Sequence, residues 1–331
     1  MINADVLDAW FAPSPRVIEA LRKFEPWSAS MSPPTHAEGF VEAIGGFYGI
    51  PSEQVLVGAG SSALWFLYAL TTLNRDSKVL LIEPSYGEYG HVCRSVVGCE
   101  TDILPTSLAE GFALDLGRWV SQLQKNRYDL AVLINPNNPT GIGIPRNDLL
   151  NALQQVPSST QILIDEAYMD YWNPNESLIL GDLPSNVTVI SSFSKRFALS
   201  GLRVAMMRTS PEMRARLQTR TPPWAVSLPA QIAGCAALKS TDYYRQRYDE
   251  THRLRDQLRV GLQGLGYQVI DTCANWLMFR VSDAEGLCKE MASKSLYVRN
   301  IGLTAPSLGN DWVRIAVKDE ATIIRMLDII G

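Results

Sequence analysis

The stretch "VLVGAGSSALWFLYAL", residues 55–70, decides how the chain is read. It opens as a short apolar strand, turns at "GAG", and continues with the apolar density of a helix. Gly58, Gly60 and Ala63 fit the G-x-G-x-x-A pattern of a dinucleotide-binding turn. Glu83 closes the next apolar run, about twenty residues on, where that pattern has a ribose-binding acid. A helix that starts on a glycine offers free N–H groups to an anion, whichever ligand carries it. Two readings follow: a nicotinamide enzyme, or a turn that holds the phosphate of some other ligand.

Outward from this turn, apolar runs alternate with amphipathic ones. "KVLLIEP", "DLAVLINP", "QILIDEAY" and "VTVISSFS" read as strands. "GFVEAIGGFYG" puts Phe40, Ala43, Ile44 and Phe47 on one helical face, and "IPRNDLLNALQQV" carries Leu149, Leu150 and Leu153 behind a proline. Near-continuous apolar strands separated by helices predict a mostly parallel sheet covered by helices on both faces. After about residue 235 the pattern changes. A long helix with Tyr244, Tyr248, Leu254, Leu258 and Leu262 at helical intervals leads into "YQVIDTCANWLMFRV", helix-like "AEGLCKEMASKS", and strand-like "LYVRN" and "DWVRIAV". The expected division is a large domain over 30–235 and a smaller α+β domain from 1–29 with 236–331.

With 331 residues, 46% hydrophobic and 19% charged, the chain suits a globular protein with a sizeable core. A net charge of −4 favours neither a nucleic acid nor a membrane surface as partner. The five cysteines form no C-x-x-C pair and are odd in number, which suits reduced thiols in the cytoplasm. The three histidines are scattered, so no metal site is expected. The acidic start "MINADVLDAWF" lacks a basic-then-apolar leader, and no apolar stretch is long enough to span a bilayer.

Ligands of open α/β sheets bind beyond the carboxyl ends of the strands. Here those ends carry "NPNNPTG", an irregular turn that can aim side-chain amides into a crevice, then "DEAY" with Asp165, then "SSFSKRFALSGLR" with Lys195 and Arg203. Singly, each reads as a turn, a cap or a solvated charge. Together, in this order on one sheet, they describe a site. A nicotinamide enzyme gives no reason for that combination.

The set "GAGSSA", "PSYGEY", "NPNNPTG", "DEAY" and "SFSKRFALSGLR" resembles the fold-type-I pyridoxal-phosphate enzymes of the class I/II aminotransferase family. Within them it is similar to the histidinol-phosphate aminotransferase and threonine-phosphate decarboxylase branch, from about residue 12 to the C-terminus. The resemblance implies the type I pyridoxal-phosphate-dependent transferase fold and a homodimer. It makes Lys195 the Schiff-base lysine and Asp165 the partner of the pyridine nitrogen. It gives Asn138 and Tyr168 to the ring oxygen and Tyr86 to the ring face. The phosphate falls to Gly60, Ser61, Ser62, Ser192, Ser194 and Arg203, which answers the opening question with a different cofactor. It assigns Arg314 to the substrate α-carboxylate and Arg299 to its distal group; a solvated edge-strand charge is the other reading of Arg299. Asn275 is read as structural.

The match departs from the family in its substrate-reading parts. A Tyr-Pro-Asp-Pro loop, whose tyrosine reaches the neighbouring subunit's cofactor phosphate, is replaced by "SPPTHAEG", with Ser32 at the tyrosine position and His36 nearby. An Asn-Glu-Asn-Pro-like run is replaced by "LDAWFAPSP", which puts Trp10 and Phe11 at the substrate entrance or against the small domain. The expected activity is an aminotransferase for a small amino acid or amino phosphate. The alternatives are decarboxylation of a phosphorylated amino acid, side-chain elimination or cyclisation on the same cofactor, and a non-catalytic binding protein.

Overall fold

The computed structural model describes residues 1–24 and 26–331; Glu25, and the side chains of Pro26 and Trp27, lie outside the described part. Chain order begins with a two-residue strand, β1 (Ile2–Asn3). The central strands are β2 (Val55–Gly58), β3 (Lys78–Glu83), β4 (Glu100–Pro105), β5 (Leu130–Ile134), β6 (Gln161–Asp165), β7 (Val187–Ser192) and β8 (Ala205–Arg208). They form one seven-stranded sheet in the order β2-β8-β7-β6-β5-β3-β4. All neighbours are parallel except β8, which runs antiparallel to β2 and to β7.

This is the mostly parallel, helix-covered sheet that the apolar runs predict. Every residue of β5 and of β7 is buried, as expected of strands covered on both faces. One face packs Phe40, Trp119, Tyr128 and Phe193, the other Trp65, Tyr68, Tyr89 and Cys93. Helix packing is close where residues are small. In the Leu228–Leu238 helix, capped by Ser227 Oγ on the Ala230 N–H, a Cβ at Gly234 would stand 2.4 Å from the Phe40 ring.

The C-terminal part builds a second sheet. Its strands are β9 (Gln268–Ile270), β10 (Trp276–Arg280), then, past the paired β11 (Leu296–Tyr297), β12 (Arg299–Asn300) and β13 (Trp312–Ala316). The order β12-β13-β10-β9 is antiparallel throughout, and β1 pairs in parallel with β11. The Thr241–Gly264 helix spans both parts: Tyr244 and Tyr248 join the large core, and Leu254, Leu258 and Leu262 join the core of the small sheet. Among the described residues, no helix is long and apolar enough to cross a membrane.

Candidate active site

A cavity of about 230 Å³ opens beyond the carboxyl ends of the parallel strands, between the two sheets. The backbone delivers its parts one strand at a time. Asp165 ends β6, Ser192 ends β7, and Lys195 sits in the single helical turn Phe193–Arg196 that follows. Arg196, next along the chain, turns inward to an ion pair with Asp170 at 2.9 Å. That anchor leaves Lys195 facing the cavity.

Gly60 caps the Ser61–Thr72 helix with φ +96°, a conformation that suits glycine alone, and no side chain caps this helix. A Cβ there would stand 2.5 Å from Arg203 Nη2. Arg203 is itself left-handed (φ +54°) and donates to Ser200 O at 3.2 Å and to Ser194 Oγ at 3.5 Å. The helix N–H groups, uncapped by a side chain, and the adjacent Arg203 guanidinium can donate to an anion in this corner. Ser61, Ser62, Ser192 and Ser194 line the same corner.

Asp165 forms the floor. It accepts the Tyr89 hydroxyl at 2.7 Å and the Ala167 N–H at 2.8 Å. Burial pushes its carboxyl up to about 6, against the pull of those two bonds. A carboxylate kept dry with spare lone pairs is poised for a cationic partner. Tyr168 is buried beside it, edge-on to Trp276 at 4.7 Å, and burial drives its phenol well up. Tyr86 lines the open side.

On the small-sheet side, Arg314 donates to Asn138 Oδ1 at 2.7 Å and to Asp5 O at 3.1 Å. Arg299 pairs with the Asp5 carboxylate. Asp8 accepts Lys195 Nζ at 2.8 Å and Ser200 Oγ at 2.7 Å. Burial raises the Asp8 carboxyl, but the hydrogen bonds and charge of Lys195 and the Ser200 bond outweigh it and hold it below the usual range.

The cavity therefore gathers Gly60's turn with Ser61, Ser62, Tyr86, Asn138, Asp165, Tyr168, Ser192, Ser194, Lys195, Arg203, Arg299 and Arg314. Of the two places expected for Trp10 and Phe11, the small-domain side holds; they do not line the cavity. Trp10 Nε1 donates to Thr251 Oγ1 at 2.8 Å, with Arg247 5.8 Å over its ring; Phe11 is buried against Tyr244 and Tyr248. The apolar face of the Thr241–Gly264 helix outcompetes the wet cavity for both rings. Asp5, Val6 and Leu7 of the same segment face the cavity instead. His36 sits in an exposed loop on Gln218, and Ser32 is exposed. Asn275 donates to Leu7 O at 3.4 Å, consistent with its structural reading.

Four cavity-side residues escaped the sequence reading: Asp5, Asp8, Glu88 and Tyr89. Glu88 accepts Ser62 Oγ at 2.8 Å and the Tyr86 hydroxyl at 3.4 Å. Glu88 and Tyr89 lie in the quoted "PSYGEY", so the motif held their signal. Among the described residues, no cluster of His, Cys, Asp and Glu could hold a metal ion.

Comparison with known proteins agrees with this geometry. Residues 3–330 match the family described as Aminotransferase class I and II. Histidinol-phosphate aminotransferase 2 of Gluconobacter oxydans (strain 621H) is 29% identical over 321 residues, covering 96% of this chain and 87% of that protein. The crystal structure of histidinol-phosphate aminotransferase from Sinorhizobium meliloti in complex with pyridoxal-5'-phosphate superposes with a TM-score of 0.88 at 18% identity, covering 99% and 90% of the two chains. The crystal structure of L-threonine-O-3-phosphate decarboxylase from Porphyromonas gingivalis gives 0.86 at 20% identity, covering 99% and 98%. With the whole chain matched and the cavity at its strand ends, this protein belongs to the class I and II aminotransferases, enzymes that work with pyridoxal phosphate.

Proposed function

We propose that this chain is an aminotransferase of the histidinol-phosphate type, moving the amino group of a small amino acid or amino phosphate, with Lys195 as covalent anchor of pyridoxal phosphate. One observation carries the reading: Lys195 and Asp165, on neighbouring strand ends, open into one cavity whose far corner is the Gly60–Arg203 turn.

The residues fit the cofactor. The turn that a Cβ would fill suits the phosphate, with Ser61, Ser62, Ser192 and Ser194 as donors and Arg203 as a charge-assisted fork. Asp165, dry and short of a cation, suits a protonated pyridine nitrogen. Asn138 and Tyr168 suit the ring oxygen and Tyr86 the ring face. When bound, the ring supplies an electron sink for the pair left on the substrate α-carbon.

The chain's own groups do the rest. Arg314 binds the α-carboxylate, which takes over the role that Asn138 Oδ1 and Asp5 O play in the free protein. The Lys195 amine, released from its anchor, carries a proton at Nζ between substrate and cofactor. Asp8, itself held by the Ser200 hydroxyl, pairs with that amine when it is free. Arg299 faces the distal end of the substrate. Residues 30–235 bear the cofactor, and 1–29 with 236–331 close the site; Glu25 of that division lies outside the described residues. The family supports a homodimer, in which Ser32 stands where the family tyrosine reaches the neighbouring subunit's cofactor phosphate. Five free cysteines support a cytosolic enzyme.

The test is spectroscopic. The protein loaded with pyridoxal phosphate should be yellow, and borohydride should fix the cofactor on Lys195. Amino acids and amino phosphates should then be screened for pyridoxamine phosphate. Carbon dioxide without pyridoxamine phosphate would reassign the chain to decarboxylation; a colourless protein would end the reading.

A further inference from the structure

Arg299 and Arg314 stand directly opposite each other on the antiparallel β12–β13 pair, and both open into the cavity. Like charges in that register repel. The N-terminal segment answers both: the Asp5 carboxylate pairs with Arg299 Nε, and the Asp5 carbonyl accepts Arg314 Nη2. The backbone is fixed on either side of Asp5. The Ala4 N–H donates to Tyr297 O at 2.9 Å, the Ala316 N–H donates to Ala4 O at 2.8 Å, and Asp8 is held by Lys195 and Ser200. Asp5 is thus held in place against the arginine that the family resemblance gives to a distal phosphate.

We propose that Asp5 sets the substrate class: it neutralises Arg299, so the preferred substrate carries an uncharged distal group and no distal phosphate. This rests on the aminotransferase reading above and chooses between the two substrate classes that reading leaves open. The charges of the cavity support it. Its lining cations are Lys195, Arg203, Arg299 and Arg314. Arg203 serves the cofactor phosphate, Arg314 the α-carboxylate, and Lys195 the cofactor link. Only Arg299 remains, and it already faces Asp5. A phosphomonoester brings about −1.5 to −2 charges. Beside Asp5 most of that charge has no counter-ion. A neutral group leaves the ion pair intact. The Arg299 and Asp5 side chains are 39% and 27% exposed, so solvent screens the pair and the selection is on the order of tenfold.

The experiment uses the holoenzyme and two pairs of α-amino acids that differ by one distal phosphate: O-phospho-L-threonine with L-threonine, and O-phospho-L-homoserine with L-homoserine. Dissociation constants are read from the visible band of the bound cofactor, directly or in competition with L-glutamate. kcat and KM are read separately. In the wild type the unphosphorylated member of each pair should bind about tenfold tighter. Asp5→Asn should improve the phosphorylated members about tenfold, and Asp5→Glu should restore the original preference. Hydrogen exchange over residues 2–8 tells selection from loss of the latch. Equal affinity within both pairs overturns the proposal, as does tighter binding of the phosphorylated members to the wild type. So does an Asp5→Asn variant that loosens residues 2–8 and weakens both members alike. A protein with no cofactor band and no borohydride-fixed cofactor fails earlier, and takes the aminotransferase reading down as well.

Discussion

The two ends of the cavity are built differently. At the cofactor end, Gly60, Asp165, Ser192 and Lys195 lie at or just beyond the carboxyl ends of β2, β6 and β7 in one sheet, and a ladder of backbone hydrogen bonds sets their positions. At the substrate end, side chains hold side chains across long stretches of sequence. Arg314 reaches Asp5 across 309 positions, Lys195 reaches Asp8 across 187, and Arg314 reaches Asn138 across 176. A ladder is shared by many residues and hard to shift. An ion pair is changed by one substitution. On the proposals above, cofactor chemistry resides in the sheet, and substrate choice resides in an N-terminal segment that can vary without disturbing it.

The largest effects should come from breaking the cofactor end. Lys195→Ala should lower kcat by at least about 10⁴-fold and abolish the borohydride-fixed cofactor, since it removes both covalent anchor and proton carrier. A fixed adduct persisting at another lysine would move the anchor. Asp165→Asn should keep the cofactor but slow α-proton loss about 10²- to 10³-fold, measured by α-deuterium washout. It also has a signature without cofactor. Burial lifts the Asp165 carboxyl from 3.8 to about 6 in the folded chain, so the folded state holds this proton more tightly than the unfolded one. The stability it contributes is full below pH 4 and is lost as pH rises through 6, by about 1.4 kcal/mol per pH unit. Thermal melts of cofactor-free Asp165→Asn between pH 4 and 7 should decline less steeply than wild type, the remaining slope coming from Glu166, whose carboxyl is lifted by burial to about 8.

Breaking the substrate end should cost less and should spare the cofactor. Arg314→Ala should raise KM for α-carboxylate substrates about a hundredfold, the worth of one bidentate charge-assisted contact. The cofactor band should keep its intensity. A lost band would mean that the two ends are not separable.

The same contrast explains what the sequence made legible. Strands buried on both faces read as continuous apolar runs, so β3, β5, β6 and β7 were evident. The polar edge strand β4, "ETDILP", carries no such run and went unread. Ladder-set residues were found because strand-end motifs keep their spacing whatever the rest of the chain does. Asp5 and Asp8 went unread because an acid in a loop says nothing of the arginine or lysine it meets hundreds of positions later. Trp10 and Phe11 were expected at the substrate entrance or on the small domain. Their partners, Tyr244, Tyr248 and Thr251, lie on a helix face whose placement only the fold reveals.

The smallest effect sharpens this last point. Trp10→Phe keeps an aromatic ring and removes one hydrogen bond, from Nε1 to Thr251 Oγ1, in a partly buried setting. Such a bond contributes about 1 kcal/mol. In a chain of this size that lowers Tm by about 2 °C. Because the ring packs on the helix and lines no part of the cavity, kcat/KM for any amine should stay within about twofold of the wild type. The two readouts pull apart the possible roles of the residue. A clamp between the N-terminal segment and the Thr241–Gly264 helix predicts loss of stability with kinetics intact. A substrate contact predicts the reverse, a raised KM at unchanged Tm, and would require the segment to swing Trp10 into the cavity when substrate binds.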